Sequence, residues 1–356
     1  MNNNKTKKQV VIGLSGGVDS ATAAYRLKEE GYDVIGVTFN FFDDEKMLVT
    51  AARVAEQLGI IHHIVNAQSR FKQNVIKPFI EGYKSGKTPN PCMFCNQRLK
   101  FKLLLETAGN YNNCMIATGH YAEIQKVGEV YRLFASKNKT KDQSYFLYHL
   151  NQSILSRLIL PLNSFKSKAE VREIIQNLLP DIANGPESQG ICFIPNGNHP
   201  LFLKEAIFGS HPVPKGNLVD RYGKLLGKHS GVHGFTLGQT RRLGIENPHH
   251  LFVVDIIPET NTVILDDEAA LLKTEIMIEE LHMNLNKDKL KEVLIFKTCC
   301  WGPSYSGTLE RLSEGEAIVH STVPVRAPAP GQALVFYEDR QVLGGGIIKK
   351  FDMRSN

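Results

Sequence analysis

The sequence contains no apolar run long enough to cross a membrane as a helix, so no membrane partner is expected. Residues 1–8 are polar and basic and lack the apolar core of a signal peptide. No internal repeat is evident, and low complexity is confined to the short Asn- and Lys-rich start. We therefore expect a cytoplasmic protein whose six cysteines are reduced and serve as thiols, ligands or core residues.

The composition is that of a soluble globular protein, with 42% hydrophobic and 22% charged residues. A chain of 356 residues is too long for one typical hydrophobic core and suits two or three domains. The net charge of +6 suits a polyanionic partner, although a bias this mild does not by itself indicate nucleic acid binding.

The chain is organised around residues 10–20, which read VVIGLSGGVDS. Three β-favouring apolar residues lead into a turn of Ser and Gly, and an Ala-rich segment at helical spacing follows. This order predicts a strand, a loop and a helix. Gly16 and Gly17 have no Cβ, so the loop can turn sharply and bring its backbone N–H groups close to an oxyanion. The helix start adds unpaired donors and a positive dipole end, so the stretch predicts a phosphate site.

Two absences narrow the kind of phosphate loop. The stretch lacks the Lys-Ser/Thr ending of a Walker-type loop and does not fit the GxGxxG pattern of dinucleotide-binding folds. It resembles the pyrophosphate loop of ATP pyrophosphatases, which split ATP between the α and β phosphates and adenylate a substrate. On that resemblance Ser15, Gly16, Gly17 and Ser20 hold pyrophosphate, and Asp19 supports a magnesium ion or the loop itself. The alternative is an ordinary turn, against which six specified positions in this context argue.

Alternating strands and helices follow the loop. The pattern predicts strands over residues 32–39, 60–65 and 113–118, and helices over residues 21–30, 47–58 and 71–84. This alternation indicates βαβ units and a parallel sheet covered on both faces, with ligands at the carboxyl ends of the strands. Phe39 lies at such an end, where the spacing fits an adenine neighbour and a core aromatic residue equally well.

Two cysteines follow a proline-rich segment, residues 88–96, which reads TPNPCMFCN. Two prolines within three residues forbid a continuing helix, so the thiols are expected in a stiff loop ahead of a helix over residues 96–108. Asn96 can cap that helix, which places Cys95 beside its positive end and favours the thiolate. A four-cysteine zinc site is disfavoured because the only other close pair, Cys299-Cys300, has no intervening residue, but a three-cysteine iron–sulfur cluster stays open.

Local patterns continue up to about residue 196. Residues 123–134 alternate around a Val-Gly-Glu turn and predict a hairpin. Ser167 and Glu170 form a capping box that opens a helix over residues 171–178. Cys192 lies in an apolar run, residues 190–194, which reads as a short strand in which spacing alone favours a core cysteine.

From about residue 196 the alternation of strand and helix stops, which marks a domain boundary. A short helix over residues 201–208 is followed by a small β domain, in which residues 252–257 pair with residues 262–266. Later strands are separated by Pro- and Gly-rich breakers and predict a compact C-terminal barrel. They span residues 318–323, 333–337 and 342–349.

Six motifs spread over nearly the whole chain closely resemble those of tRNA-specific 2-thiouridylases. They are the loop at residues 13–20, TPNPCMFCN at 88–96, ATGHY at 117–121, KDQSYFL at 141–147, GICFI at 190–194 and APGQ at 329–332. That family uses ATP to replace the 2-oxygen of the wobble uridine of certain tRNAs with sulfur. The resemblance implies an α/β protein in three parts. They are an N-terminal parallel-sheet domain of the adenine-nucleotide-hydrolase type (residues 1–197), a small central β domain (198–270) and a tRNA-contacting β-barrel (271–356).

The resemblance also implies roles for individual residues. Cys95 corresponds to the family's nucleophile and Cys192 to its persulfide carrier, which overturns the core interpretation of Cys192. ATP and Mg²⁺ are implied at Gly13, Leu14, Ser15, Gly16, Gly17, Val18, Asp19, Ser20, Phe39 and Gly119. The target base is implied to face Asn90, Pro91 and Cys92, and tRNA to contact His120, Lys141, Asp142, Gln143, Gln332 and part of residues 296–301.

The expected chemistry explains these residue types. Adenylation of the uridine O2 converts a poor leaving group into AMP, and a persulfide then delivers the sulfur while a second thiol releases it. Two cysteines must therefore meet, and a persulfide carrier or cysteine desulfurase must supply the sulfur. Two departures limit the transfer of family roles. Some members carry Asp where this chain has Cys92, and many read GQRKG where residues 238–242 read GQTRR.

Alternatives to this function remain open from the sequence. Cys92, Cys95 and Cys192 could together ligate a 4Fe–4S cluster with an open iron position. The rival functions are an RNA thiolase acting on another base, an ATP-dependent amidating ligase that needs no thiol pair, and a non-catalytic RNA-binding module.

Overall fold

The computed structural model describes residues 7–186, 190–246, 250–284 and 291–350. Residues 1–6, which begin the first predicted domain, and residues 351–356, which end the third, lie outside that part of the chain. Within the described residues the α-helices are α1 (Val18–Glu29), α2 (Glu45–Leu58), α3 (Gln68–Phe71), α4 (Lys77–Lys84), α5 (Pro91–Cys95), α6 (Phe101–Ala108), α7 (Gln152–Leu155), α8 (Lys168–Ile175), α9 (Pro180–Ala183) and α10 (His199–Phe208). None of these helices is both long and apolar enough to span a membrane.

The strands fall into a first group within the α/β region and a second group after residue 200. The first group is β1 (Gln9–Gly13), β2 (Asp33–Asn40), β3 (Ile61–Asn66), β4 (Met115–Ala117), β5 (Ala122–Val127), β6 (Val130–Ala135) and β7 (Leu158–Ile159). The second group is β8 (Gly216–Asp220), β9 (Leu225–His229), β10 (Phe252–Ile257), β11 (Thr262–Asp266), β12 (Leu272–Met283), β13 (Leu294–Lys297), β14 (Tyr305–Arg311), β15 (Ala317–Arg326), β16 (Ala333–Glu338) and β17 (Gln341–Ile348).

The described residues form two compact units that alternate along the sequence. The first unit comprises the described residues of ranges 1–75, 92–189 and 339–342. The second unit comprises the described residues of ranges 76–91, 190–338 and 343–356. The domain boundaries expected at 197/198 and 270/271 stay a prediction.

A five-stranded parallel sheet in the order β3-β2-β1-β4-β7 forms the centre of the first unit. Val11 of β1 lies opposite Ile35 of β2 on one side and Ile116 of β4 on the other. Val10, Val11 and Ile12 are fully buried, as expected for a strand that is covered on both faces. The predicted N-terminal α/β fold is therefore confirmed.

Several local features of the first unit differ from the predictions. The helix expected over residues 71–84 is interrupted by a π-helical stretch, Lys72–Ile76, between α3 and α4. Strand β7 has only two residues and is too short for a periodic pattern to reveal. The predicted hairpin is confirmed as β5 and β6, with Val127 opposite Val130 and Gly128 at φ +62° in the turn.

A small four-stranded sheet in the order β10-β11-β8-β9 belongs to the second unit. The predicted pairing of β10 with β11 is confirmed, with Ile257 opposite Thr262. Leu218, Val253 and Val263 are fully buried in its core. The short helix expected before this sheet is present as α10.

The predicted C-terminal barrel is confirmed as a closed six-stranded barrel in the order β12-β15-β14-β13-β16-β17, which closes through the antiparallel pairing of β17 with β12. Phe296 of β13 and Phe336 of β16 lie in its core with ring centroids 6.4 Å apart. Ile295, the preceding residue of β13, is 44% exposed because successive side chains point to opposite faces of a strand. The barrel interior is thus filled by side chains from alternate positions.

We expect Phe296→Ala to destabilise the barrel by about 3–5 kcal/mol, because it removes a fully buried aromatic ring and leaves a cavity. Ile295→Ala is the matched control on the exposed face of the same strand, and we expect it to cost less than about 1 kcal/mol. Amide hydrogen exchange of β13–β16 measures both effects. Equal acceleration of exchange in the two variants would contradict the assignment of faces.

Candidate active site

The loop between β1 and α1 is held in shape by its own serines. The backbone N–H of Ser15 donates to Ser20 Oγ (3.1 Å), and that hydroxyl donates to the carbonyl oxygen of Gly17 (3.0 Å). The two hydroxyl oxygens of Ser15 and Ser20 lie 3.1 Å apart. Ser15 is exposed, whereas Ser20 is only 6% exposed. Ser20 therefore shapes the loop from within, and Ser15 presents its hydroxyl at the surface.

Two glycines allow close approaches to this loop. Gly16 has φ +75°, and a Cβ there would lie 3.0 Å from the backbone nitrogen of Ala51 in α2. Gly119 follows β4, and a Cβ at Gly119 would lie 2.9 Å from the carbonyl carbon of Asp19. Real Cβ atoms rarely come this close to backbone, so the loop leaves no space for a side chain at either position.

Asp19 is contacted by two residues that sequence reasoning did not assign to the site. Tyr121 Oη donates to Asp19 Oδ1 (2.6 Å), and Lys168 Nζ forms an ion pair with the same oxygen. The Lys168 ammonium also lies 5.7 Å from the centroid of the Tyr121 ring. Tyr121 stood at the end of a quoted motif and Lys168 within the capping box, so the sequence marked both positions without indicating their partner.

The capping box itself is confirmed. Ser167 Oγ accepts from the backbone N–H of Glu170 (3.2 Å), and α8 begins at Lys168. Lys168 is therefore placed at a rigid helix start beside Asp19.

Phe39 is a buried residue with 7% exposure, and its ring stacks on Phe41 at 5.8 Å. Phe41 stacks in turn on Phe71 at 4.6 Å. Of the two interpretations of Phe39, this packing favours a core aromatic residue over a neighbour of adenine. Leu14 is also buried, and its carbonyl oxygen accepts from Thr38 Oγ1 (2.6 Å), which ties the start of the loop to β2.

The segment that carries Cys92 and Cys95 is helical, whereas a loop ahead of a helix was expected. Helix α5 begins at Pro91, so Cys92 and Cys95 lie within helical structure, and Asn96 follows in a π-helical stretch and does not cap the helix. The physical reason is that proline suits the first turn of a helix, where its missing N–H costs no hydrogen bond. Asn96 is 2% exposed and donates through Nδ2 to the carbonyl oxygen of Phe146 (3.2 Å).

The environment of Cys95 also differs from the prediction. Burial raises the pKa of the Cys95 thiol, an effect that Lys100 opposes and Cys92 reinforces. The predicted thiolate at a helix N-terminus is therefore wrong, because Cys95 is a buried residue at the end of α5 and not at the start of a helix. Cys92, in the same helix, is exposed.

Cys192 is exposed and lies in a turn, not in the predicted strand. The backbone N–H of Ile194 donates to the carbonyl oxygen of Ile191 (3.0 Å), which closes the turn. Phe193 is 8% exposed and packs edge-on against Phe79 (5.6 Å) and Phe202 (5.4 Å). The aromatic anchor fixes the turn while the neighbouring thiol faces outward, which removes the core interpretation of Cys192. Cys192 belongs to the second unit and Cys95 to the first.

Three residues expected to contact tRNA form hydrogen bonds within the first unit. Asp142 is 9% exposed, and its carboxylate accepts from the backbone N–H of Ser136 (2.8 Å). Gln143 Oε1 accepts from the backbone N–H of Tyr121 (3.0 Å). His120 Nδ1 lies 2.8 Å from Thr118 Oγ1. These side chains hold the loops after β4 and β6 in place.

The charge state of His120 limits what it can contact. Its pKa is held well below the ordinary value, first by burial and then by the positive charge of Lys100. The ring is therefore neutral at pH 7 and can form a hydrogen bond but no ion pair with a phosphate. Lys141 is half-buried in the same region.

Gln332, the expected tRNA contact in the second unit, also forms a hydrogen bond within its unit. Its Nε2 donates to the carbonyl oxygen of Thr88 (2.6 Å), close in sequence to Asn90 and Pro91.

Within the described residues, no group of three or more His, Cys, Asp or Glu side chains could hold a metal ion. The iron–sulfur alternative stays a hypothesis, because Cys92 and Cys95 belong to the first unit and Cys192 belongs to the second.

A glycine-rich loop at the carboxyl end of the central parallel strand, joined directly to a helix, defines a nucleotide-binding α/β protein of the pyrophosphate-loop class. Three family models match successive parts of the chain. They are described as a tRNA methyl transferase HUP domain (residues 8–196), a tRNA methyl transferase PRC-barrel domain (202–267) and an aminomethyltransferase beta-barrel domain (273–348).

Curated relatives match over almost the full length. The tRNA-specific 2-thiouridylase MnmA of Clostridium perfringens is 40% identical over 97% of this chain and 99% of the relative. The tRNA-specific 2-thiouridylase MnmA 1 of Clostridium botulinum strain Loch Maree is 38% identical over 97% of this chain and 100% of the relative. The chain therefore belongs to the family of tRNA-specific 2-thiouridylases. A solved NMN synthetase from Francisella tularensis is similar at a TM-score of only 0.33, with 20% identity over 52% of this chain and 68% of that chain.

We expect alkylation of Cys95 by iodoacetamide to reach half its maximal rate at a higher pH in the folded protein than in the unfolded chain, because burial raises the pKa of Cys95. Below that pKa the thiol is protonated and unreactive, and the rate rises as the pH rises through the raised pKa. Mass spectrometry of the Cys95 peptide measures the profile, with the urea-unfolded chain as the control. A midpoint at or below that of the unfolded chain would contradict the assignment.

Proposed function

We propose that this chain catalyses the ATP-dependent 2-thiolation of the wobble uridine of tRNA, giving 2-thiouridine, AMP and pyrophosphate. The observation that carries the proposal is the self-bonded Ser-Gly-Gly loop, with Gly119 packed against its backbone. The family membership of the chain supports the choice of reaction.

ATP is proposed to bind this loop because Gly16 and Gly119 let neighbouring backbone pack closely on it, and because it leads directly into the start of α1. We assign Gly13–Ser20 and Gly119 to the nucleotide, with Phe39 as a supporting core residue. Lys168 is added to this set because its ammonium lies at the loop and can balance phosphate charge.

Asp19 is the residue that fits Mg²⁺. Its Oδ1 accepts a hydrogen bond from Tyr121 and forms an ion pair with Lys168. We therefore assign the other carboxylate oxygen, Oδ2, to the ion. When bound, Mg²⁺ would neutralise charge on the departing pyrophosphate.

The first chemical step is attack of the uridine O2 on the α-phosphorus of ATP, which breaks the bond to the β-phosphate oxygen and releases pyrophosphate. The oxygen at C2 can then leave with AMP. Asn90, Pro91 and Cys92 are proposed to face the base. His120, Lys141, Asp142, Gln143 and Gln332 are proposed to serve the tRNA site. The hydrogen bonds of Asp142 and Gln143 support a role in shaping the loops that meet the RNA.

Sulfur transfer uses Cys192 and Cys95. A persulfide carrier or cysteine desulfurase loads Cys192, whose exposure supports access by a donor protein. The Cys95 thiolate attacks the Cys192 sulfur, breaks the S–S bond and releases hydrosulfide, which attacks C2 and expels AMP. The resulting Cys95–Cys192 disulfide must be reduced by an external dithiol before the next turnover.

Since the pKa of Cys95 is raised, its proton must leave before the attack. A cytoplasmic location follows from this dependence on reduced thiols and tRNA.

We expect Lys168→Met to slow pyrophosphate release about 10²-fold, because it removes a positive charge that we place beside the leaving pyrophosphate. Lys166→Met is the matched control, since Lys166 is an exposed lysine two positions away. Pyrophosphate release on mixing the protein with ATP and tRNA measures both variants. An unchanged rate in Lys168→Met would contradict its place in the site.

The decisive test of the function is Cys192→Ser. We expect this variant to release pyrophosphate with ATP and tRNA but to form no 2-thiouridine when a donor protein carrying a persulfide is supplied, as measured by nucleoside mass spectrometry. Cys114→Ser is the control, because Cys114 is a buried cysteine outside the proposed chemistry. No pyrophosphate release by the unaltered protein would indicate an RNA-binding module, and pyrophosphate release without 2-thiouridine in both the unaltered protein and Cys192→Ser would indicate an amidating ligase. Full 2-thiouridine formation by Cys192→Ser would contradict the role of Cys192.

A further inference from the structure

The segment that leads into the cysteine helix is hydrogen-bonded to the barrel. The backbone N–H of Thr88 donates to the carbonyl oxygen of Pro330 (2.7 Å). The carbonyl oxygen of Thr88 accepts from Gln332 Nε2 (2.6 Å). Both backbone polar groups of Thr88 are therefore bonded to residues 329–332, which we call the barrel turn.

The barrel turn is itself fixed to the barrel. The backbone N–H of Gly331 donates to the carbonyl oxygen of Ile348 in β17 (2.9 Å), and the N–H of Ile348 donates to the carbonyl oxygen of Gln332 (2.8 Å). Gly331 has φ +90°, and a Cβ there would lie 3.1 Å from the backbone nitrogen of Pro89. The turn therefore packs directly on the backbone of the segment, in a conformation that favours glycine.

Neighbouring contacts hold the same segment from other sides. Lys87 Nζ lies 2.9 Å from Glu279 Oε1 of β12, and both side chains are about one-third exposed. On α4, a Cβ at Gly82 would lie 2.6 Å from Pro89 Cγ, so this helix also packs against the segment. Residues 87–89 are thus held between α4 and the barrel.

We infer that the barrel turn positions the cysteine helix, and that Gln332 is a positioning residue that acts through Thr88. Helix α5 begins at Pro91, three positions after Thr88, and Pro89 and Pro91 each restrict the backbone between them. A displacement of Thr88 is therefore transmitted to the start of the helix that carries Cys92 and Cys95. The consequence for sulfur transfer rests on the proposed function, whereas the positioning itself does not.

The first test measures thiol labelling without tRNA or ATP. Gln332→Leu removes the hydrogen bond to Thr88, and we expect Cys95 to be alkylated about fivefold faster, the factor that corresponds to one neutral hydrogen bond. Gln341→Leu is the matched control, because Gln341 accepts from Arg132 (3.2 Å) and does not contact the segment. We expect its labelling rate to be unchanged. Equal labelling rates in Gln332→Leu and the unaltered protein would overturn the inference.

A second variant separates positioning from RNA contact. Glu279→Gln weakens the pair with Lys87 and removes a negative charge, so it should not weaken the binding of a polyanion. We expect Glu279→Gln and Gln332→Leu both to lower single-turnover formation of 2-thiouridine several-fold at saturating tRNA, with tRNA Kd changed less than about twofold. Weaker tRNA binding by Gln332→Leu at a normal saturated rate would overturn the inference and make Gln332 an RNA contact alone. Because labelling needs neither substrate, its result stands apart from a failure of the proposed function.

Discussion

The loop between β1 and α1 packs so closely on its neighbours that two contact positions favour glycine, and this steric constraint governs the rest of the candidate site. Gly16 faces the backbone of α2, and Gly119 faces the backbone of Asp19. Gly119 reaches the loop because β4, which precedes it, pairs in parallel with β1, so the ends of both strands meet at one edge. The loop geometry therefore depends on the register of the central sheet as well as on its own glycines.

Asp19 connects this steric constraint to electrostatics. Its carboxylate lies at the first turn of α1, where a negative charge is favoured by the helix dipole. Lys168 and Tyr121 approach the same oxygen from α8 and from the strand end after β4. Two further elements thus converge on a carboxylate of α1, which fixes the position of a lysine beside the loop. In the proposed reaction that lysine supplies positive charge beside the loop.

The strands and the loop could be predicted from the sequence because their signals are local. A β-branched run followed by two glycines is typical of a strand that ends in a tight loop. The capping box at Ser167 marks the start of the helix that follows it. The start of α5 could not be predicted, because a proline such as Pro91 can either break a helix or occupy its first turn. The hydrogen bonds of Asp142 and Gln143 to backbone N–H groups were equally hidden, because a polar residue in a loop motif gives no sign of whether it faces solvent or a backbone donor.

Gln332 shows why contacts distant in sequence escape such analysis and why two roles can share one side chain. Its partner Thr88 is 244 positions away, and no periodic pattern links them. A glutamine amide carries two N–H donors and an acceptor oxygen, and the bond to Thr88 uses only one donor. The implied tRNA contact and the bond to Thr88 are therefore chemically compatible. If both form in the proposed complex, the barrel joins the RNA to the segment that leads into the cysteine helix, so that RNA docking and thiol placement depend on the same amide.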